Sequence, residues 1–245
     1  MNKIAIIIPS RLNAQRLPNK PLKLINNKEM ILHVYEAAIN SNVGEVYIAT
    51  PDQEIIEIIK NANGNAIKTN DKHETGTDRI FEVFKNFLNN EPDIIINLQG
   101  DMPNIPPQAI SDLVSYMKQD KCDIGTLASE FSSKNEINNP NVVKVAVKEK
   151  LSGNMFLNAT NFFRKDENTH DNLYHHIGIY AFTNKALLKY VSLKRSKLEL
   201  ERKLEQLRAL ENSMSIHVGY VKASPLSVDT EEDLIEVKKI MEKKK

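Results

Sequence analysis

The sequence predicts an α/β fold: a doubly wound, mostly parallel sheet with a small mixed α/β insertion. Three observations predict it. The runs Ile4-Ala-Ile-Ile-Ile8 and Ile94-Ile-Ile-Asn-Leu98 are apolar without strict alternation, as in strands covered on both faces. Amphipathic helical stretches separate such runs, which calls for crossover connections and parallel neighbours. Charged and polar side chains collect just after the strands, where open α/β sheets bind ligands.

Each element has its own signal. Ile4 to Ile8 is the first strand, and residues 29–40 follow as a helix with Met30, Val34, Ala37 and Ala38 on one face. Glu45 to Thr50 is a strand, 52–61 a helix burying Ile55, Ile56, Ile58 and Ile59, and Asn65 to Lys68 a weak third strand. Thr77 to Phe87 is a helix with the stripe Ile80, Val83, Phe84 and Phe87. Asp93 to Leu98 is a strand, 107–118 a helix, and Cys122 to Ala128 a strand. The pattern changes after about residue 129. Val142 to Val147 is a strand, 148–153 a turn, Asn154 to Thr160 its partner, and 161–173 a polar irregular loop. Ile177 to Phe182 is a strand preceded by His175 and His176, and 184–190 a helix. A charged helix over 197–211 buries Leu200, Leu204, Leu207 and Leu210; Ser215 to Val221 is a strand and Glu231 to Lys243 the terminal helix.

The 245 residues suffice for one large α/β domain with its own core. One cysteine, Cys122, excludes a disulfide framework and fits a reducing cytoplasm. A formal net charge of +1 gives no broad basic field for nucleic acid. No apolar stretch approaches the ~20 residues of a membrane span, and the run ending at Pro9 is too short for a signal peptide.

The chemistry lies at the strand ends. Arg11, Arg16 and Lys20 follow the first strand in a loop stiffened by Pro18 and Pro21, a setting for a polyphosphate. Gln99 and Asp101 follow the strand ending at Leu98, and Asp229 precedes the last helix. Lone carboxylates on separate elements suit Mg²⁺, which takes hard oxygen ligands together with waters and substrate phosphates. Asp229 also reads as a helix cap, alone or through Thr230 with Glu232 or Asp233. Thr75-Gly-Thr-Asp-Arg79 opens a helix: Thr75 or Thr77 caps it, and Gly76 permits close approach of a ligand. Arg79 in the first turn calls for a partner anion. Walker, GxGxxG, CxxC, HExxH and GxSxG patterns are all missing, which disfavours P-loop, dinucleotide, zinc and serine-hydrolase chemistry.

Six motifs, in order, carry a resemblance: Pro9-Ser-Arg-Leu-Asn-Ala-Gln-Arg-Leu-Pro-Asn-Lys-Pro21, His73-Glu-Thr-Gly-Thr-Asp-Arg79, Asn97-Leu-Gln-Gly-Asp-Met-Pro103, His175-His-Ile-Gly-Ile-Tyr180, Leu204-Glu-Gln-Leu-Arg208 and Val228-Asp-Thr-Glu-Glu-Asp-Leu234. Over about residues 4–238 the chain resembles the 3-deoxy-manno-octulosonate cytidylyltransferase (CMP-Kdo synthetase) family. The resemblance implies that CMP passes from CTP to the anomeric hydroxyl of Kdo. The products are pyrophosphate and CMP-Kdo for lipopolysaccharide synthesis. It implies a Mg²⁺-dependent, cytoplasmic homodimer, with no nucleic-acid partner and no membrane insertion. It assigns 1–129 mainly to the nucleotide, 130–215 mainly to the sugar and dimerisation, and 216–245 to the return into the main sheet. By position, Arg11, Lys20, Asp101 and Asp229 are implied as catalytic, with Asp101 and Asp229 on the metal. Arg11, Arg16, Lys20, Thr75, Gly76 and Gln99 are implied for the nucleotide, and Arg79, Gln99, His176, Tyr180, Glu205 and Gln206 for the sugar.

Departures from the family pattern bear on specificity. Ala14 stands for a serine, Asn19 for a glycine after Leu-Pro, Met102 for a glutamate and Ser227 for a glycine. Asn158 stands near an arginine position, with Arg164 a possible substitute. This keeps open a cytidylyltransferase for another acidic sugar, such as sialic acid or an amino variant of Kdo. A non-catalytic homologue acting as an interaction protein is a second alternative, which the intact charged set speaks against.

Overall fold

The computed structural model describes residues 2–13, 16–165, 172–222 and 224–243. The departure at Ala14 lies outside them. The chain divides into two compact units, Met1–Ser111 with Pro225–Lys245, and Asp112–Ser224.

In the first unit, β1 (Ile4–Pro9) is buried along its whole length. A tight hairpin follows, β2 (Leu24–Ile25) and β3 (Lys28–Glu29). It turns on Asn26 and Asn27, both at positive φ, 50° and 62°. These are the left-handed conformations a two-residue hairpin turn requires, and asparagine tolerates them well. Then come α1 (Met30–Asn40), β4 (Glu45–Thr50), α2 (Gln53–Asn61), β5 (Asn65–Lys68), α3 (Gly76–Asn86) and β6 (Ile94–Leu98). The parallel strands lie in the order β5-β4-β1-β6. The chain moves outward from β1 to β5 and then returns to the other side of β1. The reversal therefore falls between β1 and β6, and the carboxyl ends of these two strands are where such a sheet places a ligand.

The expected elements are present with small shifts. Phe87 is the exception in the α3 stripe: the helix ends at Asn86 and Phe87 is 56% exposed.

α4 (Pro107–Met117) precedes the strands of the second unit. These are β7 (Ile124–Ser129), β8 (Lys144–Val147), β9 (Phe156–Phe163), β10 (Leu173–Thr183) and β11 (Ile216–Tyr220), with the short α5 (Lys134–Asn138) between β7 and β8. β10 runs antiparallel to β7, β7 parallel to β11, β11 antiparallel to β9, and β9 antiparallel to β8. β8 then pairs with the start of β10 through Leu173–Ala146 and Tyr174–Val145, so these strands close on themselves. Two expectations change here. Residues 161–163 continue β9 rather than opening a loop, and β10 begins at Leu173, so His175 and His176 lie inside the strand. Residues 166–171 of the expected loop lie outside the described residues.

The helix expected over 197–211 is two: α7 (Lys197–Arg202) and α8 (Gln206–Glu211), following α6 (Asn184–Ser192). Lys203 takes a left-handed conformation, φ 55° and ψ 49°, and ends α7. The apolar stripe is broken accordingly: Leu204 and Leu207 are buried, and Leu200 is 55% exposed.

The last helix, α9 (Glu231–Glu242), returns to the first unit. Leu234 and Val237 pack with Val228, Leu17, Ile25 and Met30 in one buried cluster. That cluster fixes both the loop carrying Lys20 and the segment carrying Asp229. Truncating Leu234 to alanine should destabilise the protein by about 2–4 kcal/mol, because the cavity cannot fully collapse. Urea unfolding measures this, and a loss below ~1 kcal/mol would mean that the cluster does not anchor the helix.

Candidate active site

The loop after β1 is tied at several points. The Ser10 N–H donates to Ala49 O at 3.0 Å, Leu12 N–H to Asp52 Oδ2 at 2.7 Å, and Asn19 N–H to Leu12 O at 3.2 Å. Asn19 sits at φ 54°, a left-handed conformation that asparagine tolerates well. Leu17 is buried in the cluster beneath α9. These anchors aim Lys20 inward.

Lys20 Nζ donates to Asp101 Oδ2 at 2.9 Å and to Asp229 Oδ1 at 3.1 Å. Arg16 Nη2 is 2.9 Å from the other oxygen of Asp229. Backbone contacts bring the two aspartates together: Val228 N–H donates to Asp101 O at 2.9 Å, and Leu226 N–H to Asn104 Oδ1 at 3.0 Å. The capping role open to Asp229 falls to its neighbours. Thr230 caps α9, and Asp233 Oδ2 accepts the N–H groups of Asp229 and Thr230 at 2.9 and 2.8 Å. The Asp229 carboxylate is thus directed at the cations rather than at the helix. Burial acts to lower the Lys20 ammonium, but the two carboxylates outweigh it and hold its pKa above the usual lysine value.

Beside this cluster, β1 and β6 present small and polar groups. A side chain added at Gly76 would come within 3.3 Å of Gln99 Nε2 and 3.4 Å of Pro9 Cγ, so only glycine leaves that space open. Gln99 Nε2 donates to Asn97 Oδ1 at 2.8 Å, and Asn97 Nδ2 to Thr77 Oγ1 at 3.3 Å. Thr75, not Thr77, caps α3, accepting from Asp78 N–H at 3.1 Å. Met102 is buried, a position where a glutamate would need a partner. Ser10 is a residue that motif reading passes over. It follows β1 directly, with its Oγ buried and without a hydrogen-bond partner among the described residues. A serine at the first position beyond a buried strand is the signal that marks it.

Arg79 lies differently from a surface cation. It is 3% exposed, and its Nη1 donates to Thr69 Oγ1 at 2.5 Å and to Asn70 O at 2.9 Å. Burial, with the nearby charge of Arg11, lowers its pKa. Glu82 completes this tie, accepting from Asn70 N–H at 2.9 Å and pairing with His73. Arg11 itself is exposed. The first unit therefore brings together Lys20, Arg16, Asp101 and Asp229, and sets Thr75, Gly76 and Gln99 at the ends of neighbouring elements.

The remaining candidates lie in the second unit. β10 carries a bulge: its register against β7 shifts between Ile177 and Tyr180. Thr126 Oγ1 fills it, 2.7 Å from Ile179 O and 2.9 Å from His176 Nε2. The hydroxyl has one proton, which goes to the carbonyl, so the imidazole donates Nε2–H to the hydroxyl oxygen. His176 packs edge-on against Phe162 and beside Tyr180. Burial drives its pKa down to about 3, so it is neutral and a hydrogen-bonding group rather than a base. Burial and the charge of Glu205 raise the Tyr180 phenol well above its usual value. Glu205 and Gln206 stand at the start of α8. Asn158 is exposed on β9, opposite His217. Cys122 is buried with its Sγ 3.7 Å from Met117 Sδ, and burial pushes the thiol up to about 12, which leaves it inert.

A lysine-bridged carboxylate pair beyond the carboxyl ends of the sheet strands, in a chain with no glycine-rich phosphate loop, fits a nucleotidyltransferase of the α/β class. The comparisons agree. The family model described as cytidylyltransferase matches residues 5–216. A 3-deoxy-manno-octulosonate cytidylyltransferase of Brucella ovis is 43% identical over 234 residues, 95% of this chain and 93% of that protein. One of Bartonella bacilliformis is 40% identical, covering 98% of each. A solved structure of CMP:2-keto-3-deoxy-manno-octonic acid synthetase complexed with CTP superposes with a TM-score of 0.87 at 36% identity, covering 99% of this chain and 100% of that one. The chain belongs to the cytidylyltransferase family.

The neutral His176 sets a pH dependence. Its folded pKa of about 3 lies below the unfolded value near 6.5, so its stability contribution is complete above ~6.5. It is lost as pH falls toward the folded value, by about 1.4 kcal/mol per unit. Between pH 7 and 5 the protein should lose ~2 kcal/mol that a His176→Gln variant does not lose. Urea midpoints at the two pH values measure it; parallel losses in both proteins would mean that His176 is not held neutral.

Proposed function

We propose that the protein transfers CMP from CTP to the anomeric hydroxyl of 3-deoxy-D-manno-octulosonate, releasing pyrophosphate. The observation that carries this reading is Lys20 bridging Asp101 and Asp229 at the carboxyl ends of β1 and β6, in a chain that aligns end to end with CMP-Kdo synthetases. In this reading Arg11, Arg16 and Lys20 neutralise the triphosphate. Thr75, Gly76 and Gln99 line the nucleoside side. By the resemblance, Gln99, Arg79, His176, Tyr180, Glu205 and Gln206 serve the sugar, with Arg79 acting through the Thr69 hydroxyl and the Asn70 carbonyl that it holds.

The acidic pair fits Mg²⁺. One ammonium spans oxygens of both carboxylates at 2.9 and 3.1 Å, so one cation can reach both. Among the described residues no cluster of three or more histidine, cysteine, aspartate or glutamate side chains could hold a metal alone. The remaining ligands are then phosphate oxygens and waters, as Mg²⁺ prefers. When bound, the ion stabilises charge developing on the α-phosphoryl and pyrophosphate oxygens. The chain's own part is positional. Asp101 and Asp229 would hold the ion that orients the α-phosphoryl group, and Lys20 follows the charge onto the leaving pyrophosphate. The sugar hydroxyl oxygen forms its bond to the α-phosphorus, its proton passes to solvent, and the bond to the bridging oxygen breaks.

The enzyme works as a homodimer in a reducing cytoplasm, and its product supplies lipopolysaccharide synthesis; the family resemblance and the single buried thiol support this. No helix among the described residues is long and apolar enough to cross a membrane. A second reading keeps the reaction and changes the acceptor to another acidic sugar. The exposed Asn158, where the motif places an arginine, favours it.

Pyrophosphate release with CTP and Mg²⁺ separates the two when Kdo, sialic acid and an amino-Kdo analogue run in parallel. Mg²⁺-dependent release with Kdo is expected. Release only with another acidic sugar would move the assignment to the second reading, and silence from folded protein with all three would overturn both. Asp101→Ala should lower kcat by about 10³-fold with the fold intact, and near-wild-type turnover would remove its metal role. Lys20→Ala should cost about 10²-fold in kcat/KM for CTP; unchanged CTP kinetics would contradict its phosphate role.

A further inference from the structure

A buried ion pair links α7 to α8 across the turn between them. Arg208 and Glu199 are each under 5% exposed. Arg208 Nε donates to Glu199 Oε2 at 2.8 Å and Nη2 to Oε1 at 2.5 Å, a two-pronged pair that lysine cannot reproduce. The guanidinium also lies over the Tyr190 ring, with Cζ 4.5 Å from the centroid. Tyr190 is itself buried, and its hydroxyl donates to Glu205 O at 2.8 Å. The Arg208 N–H donates to the same carbonyl at 3.1 Å. Glu199 Oε2 accepts the Ser196 N–H at 3.1 Å, which pins the start of α7.

Arg208 thus reaches Glu205 by two routes, through its own backbone and through the phenol beneath its guanidinium. Exchange of a buried ion pair for apolar residues often costs no stability, so stability is a weak reason for this one. What the pair fixes here is geometry. Lys203 has already ended α7, and the next helix must restart within a few residues at a defined angle. Gln206 at that restart is buried, and the Glu205 charge acts on both the Tyr180 and Tyr190 phenols.

We propose that Arg208 is a positioning residue: clamped between Glu199 and Tyr190, it sets the start of α8 so that Glu205 and Gln206 present their side chains to the hydroxyl groups of the acidic sugar acceptor. Arg208 itself touches no substrate. The acceptor half of this statement rests on the reading given under Proposed function; the placement of Glu205 does not.

The test uses Arg208→Lys together with the double variant Glu199→Gln/Arg208→Met, which removes both buried charges and so leaves neither alone if the single variant fails to fold. Tyrosines labelled with ¹³C at Cζ report on the Tyr180 environment without any substrate, the signal being assigned by its loss in Tyr180→Phe. The Tyr180 resonance is expected to move in the same direction in Arg208→Lys, in the double variant and in Glu205→Gln. In the activity assay, the KM for the sugar should rise roughly tenfold to a hundredfold with the KM for CTP unchanged. A Tyr180 signal that stays put in folded variants would overturn the placement of Glu205. A KM for CTP that rises in step with that for the sugar would reduce Arg208 to a purely structural role. Wild-type protein silent with every acidic sugar would overturn the acceptor half, while the Tyr180 signal still decides the other.

Discussion

Two carboxylates that sit within reach of one ammonium repel each other unless a cation lies between them. Lys20 meets that condition for Asp101 and Asp229, and much of the first unit serves to bring the three together. The return of the chain to β6 beside β1 places the Asp101 turn next to the Lys20 loop. The hydrogen bond from Val228 to Asp101 places Asp229. The apolar cluster under α9 holds the loop from below, and the Thr230–Asp233 capping box leaves the Asp229 carboxylate to the cations. Each support is ordinary; their joint effect is a preorganised acidic pair whose partner charge is already present. Preorganisation of this kind is what phosphoryl chemistry asks of a protein, since positioning and charge stabilisation supply most of the catalysis.

The second unit solves a different problem, the placement of polar groups inside an apolar wall. His176, Thr126 and the bulge of β10 satisfy one another, so the imidazole can be buried without charge. Arg208 and Glu199 are buried charged and answer each other with two hydrogen bonds. Lys144 is buried against backbone: its ammonium donates to the carbonyls of Asn139, Val142 and Arg164 at 2.6–2.9 Å. Such groups are costly to bury unless every donor is met, and all three networks fix backbone segments that carry candidate sugar-side residues or flank them.

What could be read from the sequence follows from how local each signal is. The buried strands β1 and β6, and the charges just beyond them, were legible because runs such as Ile4–Ile8 have no other reading, and the strand-end rule then picks out Lys20, Asp101 and Asp229. Family resemblance was needed for Gln206, a neutral residue on a short helix. Other features depended on distant partners. The His175-His176 pair interrupts an apolar pattern, so the pattern alone starts β10 too late; Thr126, about fifty residues earlier in the chain, is what permits a histidine there. The α7–α8 break was hidden because leucines and charges continue at helical spacing through Lys203, and the tertiary clamp on Arg208 overrides that periodicity. The closure of β8 onto β10 is a long-range pairing with no local mark at all. The Asn26-Asn27 hairpin could have been found, since paired asparagines are a turn signal in themselves.

Under the proposed function, Asp101 and Asp229 form one cation site, held by Lys20 until nucleotide phosphates draw that lysine away. Calorimetric titration of the wild-type protein with Mg²⁺, alone and with an unreactive CTP analogue carrying a methylene between the α- and β-phosphorus atoms, tests it most directly. Weak Mg²⁺ binding alone is expected, with an affinity about tenfold or more higher in the presence of the analogue and the reciprocal gain for the analogue when Mg²⁺ is present. Equal Mg²⁺ affinity with and without the analogue would contradict it.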